Sequence, residues 1–228
     1  DMVEAPVHFG NDANAAALGE YLAGGYNVKS FVMITLGTGI GSGIILDGKL
    51  IKGINYAASE LGHTVIKLGG EQCTCGRKGC FEAYASATAL IRDTRRLLLK
   101  RSNAVESMHN NVGNMLERSE IWKLCDGDVG KIEAKHVFDA VKHEDELAKE
   151  LFWNYTEYLA EGIANIINIL QPELVCIGGG VSKAGDMLLA PVKEKVAGRI
   201  FSKNSARNTD IKLARLDNDV GIIGAAML

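Results

Sequence analysis

The feature that most constrains this chain is the run Cys73-Thr74-Cys75-Gly76-Arg77-Lys78-Gly79-Cys80, with His63 shortly before it. Two cysteines separated by one residue place two sulfurs on one tight turn. Gly76 and Gly79 let the backbone fold around a small centre, and Cys80 and His63 supply a third and a fourth donor. Thiolate and imidazole donors in fours suit tetrahedral zinc. The competing reading is a set of buried free thiols, with His63 a hydrogen-bonded core residue. A disulfide scaffold is excluded, because the chain has five cysteines and three of them crowd into this run. The pattern suits a reducing compartment, and so a cytoplasmic protein. Cys176 lies in an apolar strand-like run and reads as a small core residue, and Cys125 stands apart from the cluster.

With 228 residues, 47% of them hydrophobic and three prolines, the chain can bury a full core and is not a disordered tail. Its net charge of −3 and the lack of a basic stripe argue against nucleic acid as a partner. Arg92, Arg95, Arg96, Lys100 and Arg101 form the densest basic cluster, and at helical spacing they read as a solvated face. No apolar run is long enough to cross a bilayer, so no membrane partner is expected.

Periodicity predicts a helix over Asn11–Tyr21, capped by Asn11 or Asp12, then strands at Phe31–Leu36, Ile44–Leu46 and Lys49–Ile51 with a turn at Asp47-Gly48. A strand is expected over Gly62–Lys67 and a helix from Phe81 to about Lys100. Residues 102–130 are polar and break periodicity, which predicts short helices and loops. Helices follow over Ala134–Lys142 and from Leu147 to Leu170, ended by Pro172. The remaining pattern is a buried strand Leu174–Ile177, a Gly178-Gly179-Gly180 turn, a helix Asp186–Ile200, a strand Ile211–Leu216 and a helix Val220–Leu228. Hairpins first and helix–strand units later predict a mixed α/β domain.

Four further groups of residues can carry chemistry. The glycine-rich run Gly37–Gly43 lies between strands. It can aim backbone N–H groups at an anion, or can simply be a glycine-rich hairpin. It lacks the Lys-Ser/Thr of a Walker loop, and no helix follows it. Gly178-Gly179-Gly180-Val181, between strand and helix, would let a nucleotide approach the backbone, although such turns use glycine routinely. Asp12, at a helix start, can accept the proton of an attacking hydroxyl or can cap the helix. Glu60 and Glu82 flank the metal-ligand pattern. They can accept hydrogen bonds from sugar hydroxyls or can be surface charges.

Taken together, FGNDANAAALGE (9–20), TLGTGIGSGIILDGKL (35–50), GINYAASELGH (53–63), CTCGRKGCFEAYAS (73–86) and LVCIGGGVS (174–182) resemble the ROK family of repressors, open reading frames and sugar kinases. They come in the family's order and span nearly the whole chain. The resemblance implies the larger lobe of the actin-like ATPase (ribonuclease H-like) fold, a mixed sheet with flanking helices and a zinc-binding loop. It implies Asp12 as catalytic base and Asn11, Asp12, Glu60, His63 and Glu82 as sugar contacts. His63, Cys73, Cys75 and Cys80 would hold structural Zn²⁺. Gly37, Thr38 and Gly39 would meet phosphate, and Gly179, Gly180 and Val181 the adenosine side. ATP with Mg²⁺, a hexose and a second copy of the chain are the implied partners.

Two departures from the family pattern stand out. Ser59 replaces the glycine that commonly precedes the Glu of Glu-x-Gly-His, and its hydroxymethyl group is expected to alter the sugar pocket slightly. The family's first phosphate loop, Asp-x-Gly-Gly-Thr, has no match, so the first lobe is expected to lie before Asp1. Residues 1–216 are then the sugar- and zinc-binding lobe. Residues 217–228 are a helix that in the family crosses back to the first lobe, and it is expected to be poorly anchored here or packed against a neighbouring chain.

The function expected is transfer of the ATP γ-phosphoryl group to a hexose hydroxyl, taken as O6 of glucose. The rival is the effector-binding part of a ROK sugar-responsive repressor, with a DNA-binding segment upstream. A kinase for fructose or N-acetylmannosamine is the third reading.

Overall fold

The computed structural model describes residues 10–107, 119–216 and 220–227, with the side chains of 102–107 left aside. Five strands form one sheet: β1 (Phe31–Leu36), β2 (Ile40–Leu46), β3 (Lys49–Leu50), β4 (Leu174–Gly178) and β5 (Asp210–Leu213). Their order is β3-β2-β1-β4-β5. β1 pairs antiparallel with β2 and parallel with β4, and β4 pairs parallel with β5. β1 and β4 are central, which is why both are near-continuous apolar runs rather than alternating ones.

The pleat sorts the side chains of the central strands into two layers. Phe31, Met33, Leu174 and Cys176, with Ile45 of β2, meet Ala16 and Ala17 of helix α1 (Asp12–Ala23). Val32, Ile34, Leu36, Val175 and Ile177 face the main core, where α6 (Glu146–Leu170) and α7 (Asp186–Arg199) pack. Between these come α2 (Glu82–Ala85), α3 (Ala87–Ser107), α4 (Glu120–Leu124) and α5 (Ala134–Lys142), and α8 (Val220–Ala225) comes last. Three layers result, with the sheet in the middle. This is the mixed α/β architecture of the larger lobe of the actin-like ATPase fold. No helix among the described residues is long and apolar enough to cross a membrane.

Several expectations need correction. Residues 62–67 form no strand. Leu61–His63 is a 3-10 turn, and Val65 makes a single bridge to Cys80, because the chain here wraps around the cysteine cluster instead of joining the sheet. The helix expected from Phe81 breaks at Ser86, whose backbone is extended. Of residues 102–130, 102–107 continue α3 and 119–131 hold α4 and a 3-10 turn, while 108–118 lie outside the described residues, as do 217–219.

The last helix is not loose. α8 rests on α1, and glycines at both contact points allow the backbones to touch: a Cβ on Gly224 would collide with the Ala15 carbonyl, and one on Gly19 with the Val220 carbonyl. Arginines of the basic cluster are engaged within the fold. Arg96 pairs with Glu71 at 2.6 Å, and Arg95 donates to the carbonyls of Val129 and Gly130, each at 2.9 Å.

Candidate functional site

A cleft of about 550 Å³ opens where α1, the β1–β2 turn and the β4 exit meet. Asn11, Asp12, Gly37, Thr38, Gly39, Glu60, His63, Glu82 and Gly179 all line it, so residues scattered over the whole chain converge on one wall. Gly180 and Val181 instead line a neighbouring groove, described below.

The start of α1 divides two roles between neighbours. Asn11 is the cap: its Oδ1 accepts from the N–H groups of Ala13 at 2.9 Å and Asn14 at 3.1 Å. Asp12 is therefore not needed as the cap. Its carboxylate is exposed in the cleft, with one oxygen also accepting the Ala13 N–H at 2.8 Å.

The Gly37–Gly43 run is shorter as a loop than its glycines suggest. β2 begins at Ile40, so the turn is Gly37-Thr38-Gly39, closed by the Gly37 N–H donating to the Gly39 carbonyl at 3.0 Å. Gly41 and Gly43 are strand residues that make room for α1: a Cβ on Gly41 would lie 2.8 Å from Ala13 Cβ, and one on Gly43 would collide with Ala17 Cβ. A Cβ on Gly39 would instead meet the Glu82 carboxylate. Space around Gly37 is open. Across the parallel β1–β4 pair, Gly179 has φ +86° and lies against the backbone of Leu36, where a Cβ would come 2.5 Å from the carbonyl oxygen. That position requires glycine on both counts.

His63, Cys73, Cys75 and Cys80 bring one donor atom each within 4.8 Å of one another. Cys75 Sγ and Cys80 Sγ are 3.7 Å apart, and Cys73 Sγ is 3.6 Å from His63 Nδ1. A tetrahedron with ordinary zinc–sulfur and zinc–nitrogen bonds has edges of about 3.8 Å and about 3.5 Å. The sulfurs are too far apart for a disulfide bond, of about 2.05 Å. The donor set thus fits a zinc ion better than it fits oxidised or unrelated thiols. With all four positions filled by protein, such a site is structural. Cys176 differs in kind: it is fully buried in β4, and burial pushes its thiol up to about 12, so it is an unreactive core residue as expected.

Glu82 follows the cluster on α2. One of its oxygens accepts the Ile40 N–H at 2.9 Å, and the other accepts the Thr74 hydroxyl at 3.2 Å. Glu60 caps the 3-10 turn without a side-chain bond, is exposed, and faces the cleft. Ser59 lies beside the cleft and is not among its lining residues. It has φ +70°, which explains the family's preference for glycine there, and its hydroxyl donates to the Ile51 carbonyl at 3.2 Å, outside the cleft lining.

Sequence reading missed a second cavity of about 460 Å³ beside the first, lined by Leu36, Ala87, Ile91, Phe138, Val181 and Ala184 among others. Gly37, Thr38 and Lys183 border both cavities. Lys183 is exposed. Lys135 and Lys142, which also line this groove, are paired with Glu133 and Asp139. The sequence predicts helices that include Ile91 and Phe138, and nothing local shows that the edge between them stays open. Also missed was Glu20, a fully buried carboxylate on α1 that accepts from Tyr26 Oη at 2.7 Å and from the N–H groups of Arg215 at 2.7 Å and Leu216 at 3.0 Å. It ties the segment after β5 to α1.

Fold and cleft together define a lobe of the actin-like ATPase class, with a Cys₃His cluster against one wall of the cleft. The chain belongs to the ROK family, whose model matches residues 1–228. It is 40% identical over 226 residues to a glucokinase of Halalkalibacterium halodurans, covering 98% of this chain and 63% of that protein. It is 31% identical over 220 residues to the xylose repressor of Caldicellulosiruptor bescii, covering 96% of this chain and 51% of that one. Among solved structures, the ROK family glucokinase of Streptomyces griseus, crystallised with glucose and AMPPNP, superposes with a TM-score of 0.84 at 34% identity, over 99% of this chain and 68% of that chain. The chain thus spans less than two thirds of the length of the glucokinase relative.

Proposed function

We propose that this chain is the sugar-binding lobe of an ATP-dependent hexose kinase acting on glucose. The observation that carries this reading is the convergence on one cleft of Asp12, Glu60, His63, Glu82 and the two glycine turns. The likeness to a glucokinase crystallised with glucose and AMPPNP supports the choice of sugar and nucleotide.

On this reading Asp12 accepts the proton of the attacking hydroxyl, since it is exposed in the cleft and Asn11 already caps the helix. Asn11, Glu60, His63 and Glu82 hold the remaining hydroxyls: carboxylates accept, and the Asn11 amide NH₂ donates. Gly37, Thr38 and Gly39 approach the phosphates. The apolar second cavity takes the adenine, with Gly179, Gly180 and Val181 beside the ribose. Lys183, between the cavities, offers positive charge to the phosphates. Mg²⁺ bound with ATP would neutralise the phosphate charge. Zinc on His63, Cys73, Cys75 and Cys80 would fix the substrate wall, leaving His63 Nε2 free to face the sugar.

Residues 1–216 form the sugar- and zinc-binding lobe on this reading, and 217–228 lead toward the family's first lobe. The chain acts in the cytoplasm as a homodimer through α6, where Trp153 is 61% exposed. Sedimentation showing a monomer at micromolar concentration would reject the dimer.

The test of function is a coupled assay on the protein that carries this chain, with ATP and a panel of glucose, fructose, mannose and N-acetylmannosamine. ATP-dependent phosphorylation with glucose preferred supports the reading, and turnover of none of them rejects it. The repressor reading draws on the likeness to a xylose repressor. Xylose-dependent DNA binding without turnover would establish it instead.

A further inference from the structure

The β1–β2 turn hangs from the segment that follows the cysteine cluster. At one end, Ile40 N–H donates to Glu82 Oε2 at 2.9 Å. At the other, the Gly37 carbonyl accepts the Ala87 N–H at 2.8 Å. Glu82 and Ala87 begin the two helices directly after Cys80. Glu82 also reaches the cluster: its Oε1 accepts from Thr74 Oγ1 at 3.2 Å and lies 3.8 Å from Cys73 Sγ. The fit is close on the turn side, since the carboxylate fills the space that a Cβ on Gly39 would need. One carboxylate therefore spans from a metal ligand to the turn assigned to phosphate.

We propose that Glu82 is a positioning residue for the Gly37–Ile40 turn, so that nucleotide binding, and not sugar binding alone, depends on the Cys₃His cluster. The proposal rests on the kinase reading for the identity of the anion, while the clamp itself stands on the geometry. A carboxylate has about four acceptor sites, so one that already holds Ile40 and Thr74 keeps capacity for a sugar hydroxyl. Three things then meet on one side chain: the state of the cluster, the sugar and the placing of the turn. Loss of the cluster frees Thr74 and Cys73, and Glu82 loses the anchor on its far side. The turn is then held by Ala87 alone at one end, and its N–H groups are no longer set for an anion before the anion arrives.

A sugar ligand with no other role would leave nucleotide binding in the absence of sugar untouched, and the experiment exploits this difference. Amide hydrogen exchange of the peptides over residues 35–42, and calorimetric ADP affinity with no sugar present, are measured on the unaltered chain, on Glu82→Ala, on Glu82→Gln, and on chain stripped of metal by a chelator. Melting curves and metal content confirm that the variants fold and keep their ion. Loss of a charge-assisted hydrogen bond predicts faster exchange in 35–42 for Glu82→Ala and an ADP affinity lower on the order of tenfold. Glu82→Gln keeps an acceptor oxygen for Ile40 and should restore most of both. The stripped chain should behave like Glu82→Ala. Unchanged exchange in 35–42 in a folded, metal-bearing Glu82→Ala overturns the clamp. Faster exchange with ADP affinity unchanged overturns the link to nucleotide. If the unaltered chain binds no ADP, the link to nucleotide falls for this lobe, the coupled assay on the protein that carries the chain decides the kinase reading separately, and the exchange comparison still decides the clamp.

Discussion

At the scale of single residues, the separation of Asn11 from Asp12 matters most. Both were candidates for the cap from sequence, and only the path of the chain shows that Asn11 takes it while Asp12 faces the cleft. Asp12→Asn should therefore keep the helix and remove the proton acceptor. In the protein that carries this chain, steady-state kinetics should show kcat lower by about 10²–10⁴-fold with sugar affinity roughly kept. A kcat that barely moves would mean that Asp12 is not the base. The candidate ligands and acids were legible because rare residue types in fixed spacing mark themselves. Lys183 and Glu20 were not legible: a lysine in a turn and a glutamate in a helix look ordinary until the partners, or their lack, are known. Gly41 and Gly43 misled in the opposite sense, since a glycine that admits a helix reads the same as one that admits a ligand.

Among elements, the cysteine cluster and the last helix carry the clearest consequences. The segment from His63 to Ser86 has little regular structure of its own, holding one 3-10 turn, the short α2 and two isolated bridges. Its order should depend on the ion. Protein purified without added metal should carry about one zinc per chain, and chelation should speed proteolysis within residues 63–86 and weaken glucose binding. Metal-free protein with unchanged sugar affinity would contradict this. The long elements were legible from periodicity. The strand expected over Gly62–Lys67 was not, because a loop wrapped around a cysteine cluster has no period to read.

α8 tests close packing. Gly224→Val would drive a side chain into the Ala15 carbonyl, so α8 must leave α1. The helix is only 6 residues long, and a loss of about 1–3 kcal/mol in denaturant unfolding is expected. No change in stability would mean that the α1–α8 contact is not kept in solution.

For the whole molecule, the question is which tasks this lobe can do unaided. All the assigned sugar contacts lie within it, whereas phosphoryl transfer depends on holding phosphate in line from more than one side. The 228-residue chain alone should bind glucose weakly in calorimetry and show little or no ATP-dependent phosphorylation in a coupled assay on the same preparation. Robust turnover would mean that the cleft described here suffices.

The pairing of β1 with β4 has a consequence for synthesis. The Cys₃His cluster draws its donors from one short stretch and can close as soon as that stretch leaves the ribosome. The two glycine turns cannot meet so early, because Gly37 waits for Gly179, and the strand that leads into Gly179 comes after the 25-residue helix α6. A nascent chain halted before Leu174 therefore holds all four donors of the Cys₃His cluster and its central strand β1 with one edge bare. Through that stage the apolar run Phe31–Leu36 stays open along one edge to pairing with a neighbouring nascent chain.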